Sequence, residues 1–284
     1  MKTDNYKQLI RDAKDYYISH APELSNIKGK EGVFDLGWCP ELHEEINLWT
    51  YWQGRGQDKA NIMIVGQDFG NYEQSPNHAV YKRLLSSNIS ENKEISQEYI
   101  DLVRGSNSPT DKGLISFTEE CLGKNYSAGI PANKNLFFTN LCLGYRSSET
   151  ISGGDMSSYL KHDSIFLKRL IEIKRPELVI CLGADTFLSA IIGLTDDKEE
   201  DYKGYISQIN SDFWSLLDSG DNAISLDTGN HSFKIFGVSH TGSNGRINRK
   251  RLSKVYKDTA KTSIELMHMD WINIRKYIKE DYMR

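Results

Sequence analysis

Asn61-Ile62-Met63-Ile64-Val65-Gly66-Gln67-Asp68 is the stretch on which the fold of this 284-residue chain turns. Four apolar side chains in a row, three of them β-branched, stand between a polar asparagine and a glycine. Continuous rather than alternating apolarity marks a strand covered on both faces, the habit of parallel sheets. The same pattern recurs downstream in Leu136-Phe137-Phe138-Thr139-Asn140-Leu141, in Leu178-Val179-Ile180-Cys181-Leu182 closed by Gly183, and in Phe233-Lys234-Ile235-Phe236-Gly237-Val238 followed by Ser239-His240. Helical patterns lie between these strands. Residues 111–122 read as a helix with Thr110 as its N-cap, and 156–173 and 184–192 as two more. The alternation predicts an α/β fold, a three-layer αβα sandwich around a central, mainly parallel four-stranded sheet.

Outside this frame, residues 4–19 carry Tyr6, Leu9, Ile10, Ala13 and Tyr17 at helical spacing, and 41–49 repeat the pattern with Leu42, Ile46 and Trp49. The polar segment 71–108 holds two expected helices, around 80–85 and 95–103. One domain over 1–284 is expected, with an N-terminal helical extension over about 1–58 and insertions at about 71–108 and 195–230. No internal repeat is visible.

No apolar run approaches the ~20 residues of a membrane span. The polar start Met1-Lys2-Thr3-Asp4-Asn5 leads into a helical pattern rather than an apolar signal core, which points to a cytoplasmic protein, and a monomer is expected. Cys39, Cys121, Cys142 and Cys181 are far apart without a CxxC pair, so they read as buried thiols, and neither metal nor cofactor is expected. The net charge of −4 argues mildly against a nucleic-acid partner, but its distribution is uneven. Arg246, Arg249, Lys250, Arg251, Lys254 and Lys257 make 246–257 a +6 segment, leaving −10 on the rest of the chain. A local basic stripe on an acidic body acts on phosphates within about one Debye length, roughly 8–10 Å. A solvated helix face is the plainer reading of the same run.

Open α/β sheets bind ligands beyond the carboxyl ends of their strands. The polar residues immediately after the apolar runs are therefore the ones to weigh. They are Gln67 and Asp68 after the first strand, Asn140 after the second and His240 after the fourth. Each alone has a structural reading: a turn-forming aspartate, a loop-holding asparagine, a satisfied histidine. Together a carboxylate, an amide and an imidazole on one rim make a constellation.

At these residues the chain resembles the uracil-DNA glycosylase superfamily. Gly66-Gln67-Asp68 is similar to the start of its Gly-Gln-Asp-Pro-Tyr motif, with Phe69-Gly70 in place of Pro-Tyr. Asn140 after Phe137-Phe138-Thr139 sits like its uracil-reading asparagine, and 176–183 resemble its third strand. His240 to Arg246 fall where His-Pro-Ser is expected, with Thr241-Gly242-Ser243 instead of Pro-Ser. The likeness runs over about residues 60–260.

The resemblance implies hydrolysis of the N-glycosidic bond of uracil or a related damaged base in DNA. Asp68 and His240 would be catalytic, and Gln67, Phe69 and Asn140 would bind the base. Asp68 would orient water and stabilise an oxocarbenium-like sugar, His240 would donate to uracil O2, and Asn140 would pair with O4 and N3–H. Ser243, Arg246, Arg249 and Lys250 would contact DNA, with Ser243 at a helix N-terminus suited to phosphate. Tyr72, Tyr81 and Phe117 are open candidates for stacking on the flipped base, and no apolar wedge is assigned. Gly70 removes the aromatic wall that would exclude thymine, with Phe69 and Tyr72 as candidates to rebuild it. A non-catalytic nucleobase-binding module on the same fold is the alternative. A dinucleotide-dependent enzyme is disfavoured, because Gly66-Gln67-Asp68-Phe69-Gly70 is not GxGxxG.

Overall fold

The computed structural model describes residues 2–28, 33–38, 60–68, 109–123, 136–146, 153–195 and 199–278. The expected helices at 41–49, 80–85 and 95–103 lie outside them, as do Cys39, Phe69, Tyr72 and Tyr81.

Helix α1 (Lys2–Ser19) leads to three short strands, β1 (Ile27–Lys28), β2 (Val33–Phe34) and β3 (Leu36–Gly37). Strand β4 (Ile62–Gly66) is the stretch that opened the sequence reading. Helix α2 (Pro109–Phe117) follows and runs into a π-turn over Thr118–Leu122, and then come β5 (Leu136–Asn140) and β6 (Tyr145–Arg146). The chain continues with α3 (Gly153–Lys174), β7 (Leu178–Leu182), α4 (Ala184–Leu194), α5 (Glu199–Ser219), β8 (Ala223–Asp227), β9 (Ser232–Val238), α6 (Ser243–Arg251) and α7 (Ser263–Arg275).

The central sheet has five strands in the order β5-β4-β7-β9-β8. Neighbours among β5, β4, β7 and β9 run parallel, and β8 pairs antiparallel with β9 at one edge. The four parallel strands are those read from the sequence. The fifth falls in the acidic stretch taken for an insertion. Ala223-Ile224-Ser225-Leu226-Asp227 shows no apolar run because an edge strand with only Leu226 fully buried needs none. Helix α5, in the same stretch, sends Ile209, Phe213, Leu216 and Leu217 into the core.

Every residue of β4, β5 and β7 is buried. Alternate residues feed opposite cores. Met63, Val65, Phe137, Val179, Cys181 and Ile235 pack with α1, α3, α4 and α5. Ile62, Ile64, Phe138, Ile180, Phe236 and Val238 pack with α2 and α7 through Leu114, Phe117 and Trp271. The sheet therefore lies between two helical layers, as continuous apolar strands require. Helix α2 starts at Pro109 rather than after a Thr110 cap, since proline tolerates the first helical position, where an N–H has no partner anyway. Among the described residues, no helix is long and apolar enough to cross a membrane.

Candidate active site

Parallel pairing delivers the tips of β4, β5, β7 and β9 to one edge of the sheet. Gly66 is in register with Asn140, and the pairing continues past the strands, with Leu141 N–H donating to the Gly66 carbonyl (2.9 Å) and Cys142 N–H to that of Gln67 (2.8 Å). Gln67 and Asp68 thus run alongside the turn that follows β5. Strand β7 separates β4 from β9. At about 4.8 Å per strand, the backbones of Asp68 and His240, level in register, stand about 10 Å apart, and those of Asn140 and His240, offset by two residues, about 16 Å.

Asn140 is 3% exposed, and its side-chain oxygen occupies the space that a β-carbon on Gly66 would need. Only glycine at position 66 lets the amide lie across the neighbouring strand. The Asn140 Nδ2 is buried with no hydrogen-bond partner among the described residues. A buried unmet donor costs about 1–3 kcal/mol, which a ligand carrying an acceptor would recover.

His240 is set by its own turn. Gly242 N–H donates to Nδ1 at 3.0 Å, which leaves the imidazole proton on Nε2. Burial lowers the pKa of the ring, so the neutral donor form is favoured. The first turn of α6 closes directly on this histidine. A β-carbon at Gly245 would collide with the His240 carbonyl.

Asp68 forms an ion pair with Arg146, through Oδ2 and Nε, and both side chains are largely withdrawn from water at 6% and 11% exposure. Arg146 was not singled out in the sequence, where it is one cation in a polar loop. It arrives because β6 pairs with β3, Leu36 opposite Arg146 and Gly37 opposite Tyr145. The intervening turn is held by a buried network. Asp163 on α3 accepts from Leu143 N–H (2.8 Å) and from the Tyr17 hydroxyl of α1 (2.5 Å), while His162 Nδ1 meets its other oxygen at 2.9 Å. Tyr17 also reaches the Cys142 sulfur at 3.4 Å. Burial, then the negative charges of Asp163 and Asp68, push the Cys142 thiol well above its ordinary range, so it is a packing residue and no nucleophile. The expected N-terminal extension therefore supports the candidate site directly.

Ser243 is exposed at the start of α6 and Arg246 follows one turn later, half-buried. Lys250 donates to the Thr259 carbonyl at 3.0 Å. Arg249 is corrected. It is fully buried, with Nε and Nη2 on both oxygens of Asp270 (2.8 and 2.9 Å) and Nη1 on Asp218 (2.8 Å). It pins α6 to α5 and α7 and is out of reach of a phosphate. Lys254 pairs with Asp212, so the +6 segment is partly neutralised by carboxylates distant in sequence. Phe117 is also removed as a stacking platform. It is buried against Trp271, rings stacked with centroids 5.6 Å apart. Among the described residues, no group of histidine, cysteine, aspartate or glutamate is arranged to hold a metal ion.

No protein-family model matches this chain, and no curated protein matches it significantly.

Proposed function

We propose that this protein is a uracil-DNA glycosylase-like enzyme that hydrolyses the N-glycosidic bond of uracil or a related base in DNA. The observation that carries the reading is the complementary chemistry at one sheet edge. A buried amide with an unmet Nδ2 donor on β5, a carboxylate beyond β4 and a neutral Nε2–H imidazole beyond β9 span a distance on the scale of a nucleoside.

Each group has a part. Asn140 Nδ2 donates to a base oxygen such as O4, an interaction that an exocyclic amino group there would refuse. The bond from the sugar carbon to the base nitrogen breaks with its electron pair leaving on the base, and the neutral His240 donates to O2, where charge collects. The Asp68 carboxylate faces the electron-poor sugar and takes a proton from the water whose oxygen bonds to that carbon. The proton passes on to the departed base or to solvent. A base must leave the stack before this can happen, which favours mispaired or unpaired positions. Ser243, the N-terminus of α6, Arg246 and Lys250 supply the phosphate contacts. Removing one donor of the His240 kind commonly costs about 10²–10³ in rate.

The test is base release from a panel of oligonucleotides, each with one lesion, using wild type, Asp68→Asn and His240→Ala. The expected outcome is release by wild type with both variants strongly impaired. Equal rates in all three would remove the assigned roles. A second reading, binding without hydrolysis, is favoured by one observation, the engagement of Asp68 with Arg146. Retention of the modified oligonucleotide without abasic product selects it.

A further inference from the structure

We propose that Arg146 is the positioning residue of this site. Its Nε meets Oδ2 of Asp68 and fixes the orientation in which that carboxylate faces the reacting sugar and water. The inference rests on the base-release reading and adds to it a residue outside the four strand tips.

Two carboxylates crowd this corner. Asp68 beyond β4 and Asp163 on α3 both bear on the Cys142 thiol. Asp163 has its own company in the Tyr17 hydroxyl, the Leu143 N–H and His162. Among the described residues Arg146 forms an ion pair with Asp68, and both groups are nearly withdrawn from water. The pairing therefore orients Asp68 at the site.

The way Arg146 is mounted fits positioning. It sits on a two-residue strand bridged to Leu36 and Gly37, with the Tyr145 ring lying against Gly37, its Cε1 atom 3.1 Å from where a β-carbon there would be. Its side chain is thus carried by backbone pairing rather than by a free loop. Arg146 Nε and Nη1 are both buried without a hydrogen-bond partner among the described residues, so Nε meets Asp68 as an ion pair and the guanidinium keeps an unmet donor at Nη1. Lysine at this position would restore the charge without the fork geometry.

The experiment measures kcat and KM for uracil release from a duplex oligonucleotide by wild type, Arg146→Lys, Arg146→Met and Asp68→Asn. Arg146→Met is also assayed with millimolar methylguanidinium against a matched salt control. A misaimed group of this kind costs about 10²-fold. Arg146→Met should lose about that much kcat with KM changed less than about threefold, Arg146→Lys should keep an intermediate rate, and methylguanidinium should restore Arg146→Met but leave Asp68→Asn unchanged. Wild-type kcat in Arg146→Met overturns the positioning role alone. So does a loss that methylguanidinium does not restore and that follows a lowered melting temperature, because that marks a merely structural residue. No base release by the wild type from any oligonucleotide removes this inference together with the reading on which it rests.

Discussion

The side-chain oxygen of Asn140 lies where a β-carbon on Gly66 would have to be, with the two residues in register on adjacent parallel strands. One strand omits a side chain so that its neighbour's amide can lie across it, two residues before Asp68. The glycine of Gly66-Gln67-Asp68 is thus part of the site's geometry as well as the end of a strand.

Gly66→Ala should therefore act on Asn140. The added methyl group must displace the amide or shift β4 against β5, an overpacking that costs about 1–3 kcal/mol. Base release should fall about 10²-fold through the misplaced amide. Chemical denaturation and a release assay on the same preparation check both effects, and full activity would show that the Asn140 amide does not need this placement.

Arg249→Met should destabilise the fold rather than weaken DNA binding. It removes the cation from two buried carboxylates, Asp270 and Asp218, of which Asp218 keeps the Ser253 hydroxyl and the Lys254 and Val255 N–H groups. Breaking a buried pair from one side costs about 3–5 kcal/mol. Urea unfolding gives that number directly. In binding titrations against salt, Lys250→Ala and Arg246→Ala should each reduce the log–log slope by about one, and a folded Arg249 variant should leave it unchanged.

Acid should act through His240 with a definite sign. Burial holds its folded pKa below the ordinary value of about 6.5. As pH falls through the window between that value and the lower folded one, the unfolded chain takes up the proton and the folded protein does not, so stability falls. Above the window this contribution is fully retained. Wild type should thus lose more stability than His240→Gln between pH 8 and pH 5. Long-range proton–nitrogen NMR at pH 7 should find the proton on Nε2.

Tyr17→Phe should cost about 1.5–3 kcal/mol, because the hydroxyl it removes donates to the buried Asp163 carboxylate. Asp163→Ala should cost more, since it strands both that hydroxyl and the Leu143 N–H. The two changes share one network and should be less than additive when combined. Thermal unfolding of the three variants tests this, and strict additivity would show that the two groups act independently.

Much of the fold was legible because continuous apolar runs such as Ile62 to Val65 and Leu178 to Leu182 have few ways to be buried. The rule that ligands lie beyond the carboxyl ends of parallel strands then singled out Asp68, Asn140 and His240. Strand β8 was not legible, since an edge strand exposed on one side carries no apolar run. Arg146 was not legible either, because its place depends on pairing with Leu36, more than a hundred residues away.

By itself, the sequence determined the parallel strands, the helices between them and the sheet edge to which the polar tips would come. These follow from local apolar pattern and chain order. Only the tertiary structure decided what each charge does. Arg249 and Lys254 belong to one +6 run in sequence, yet Asp270, Asp218 and Asp212 claim them in space, while Arg146 leaves its loop to meet Asp68. For Arg249 and Arg146 the charge is fixed by the partner that meets it out of water, whereas Lys254 pairs with Asp212 at the surface, and in each case the partner is chosen by packing rather than by neighbours along the chain.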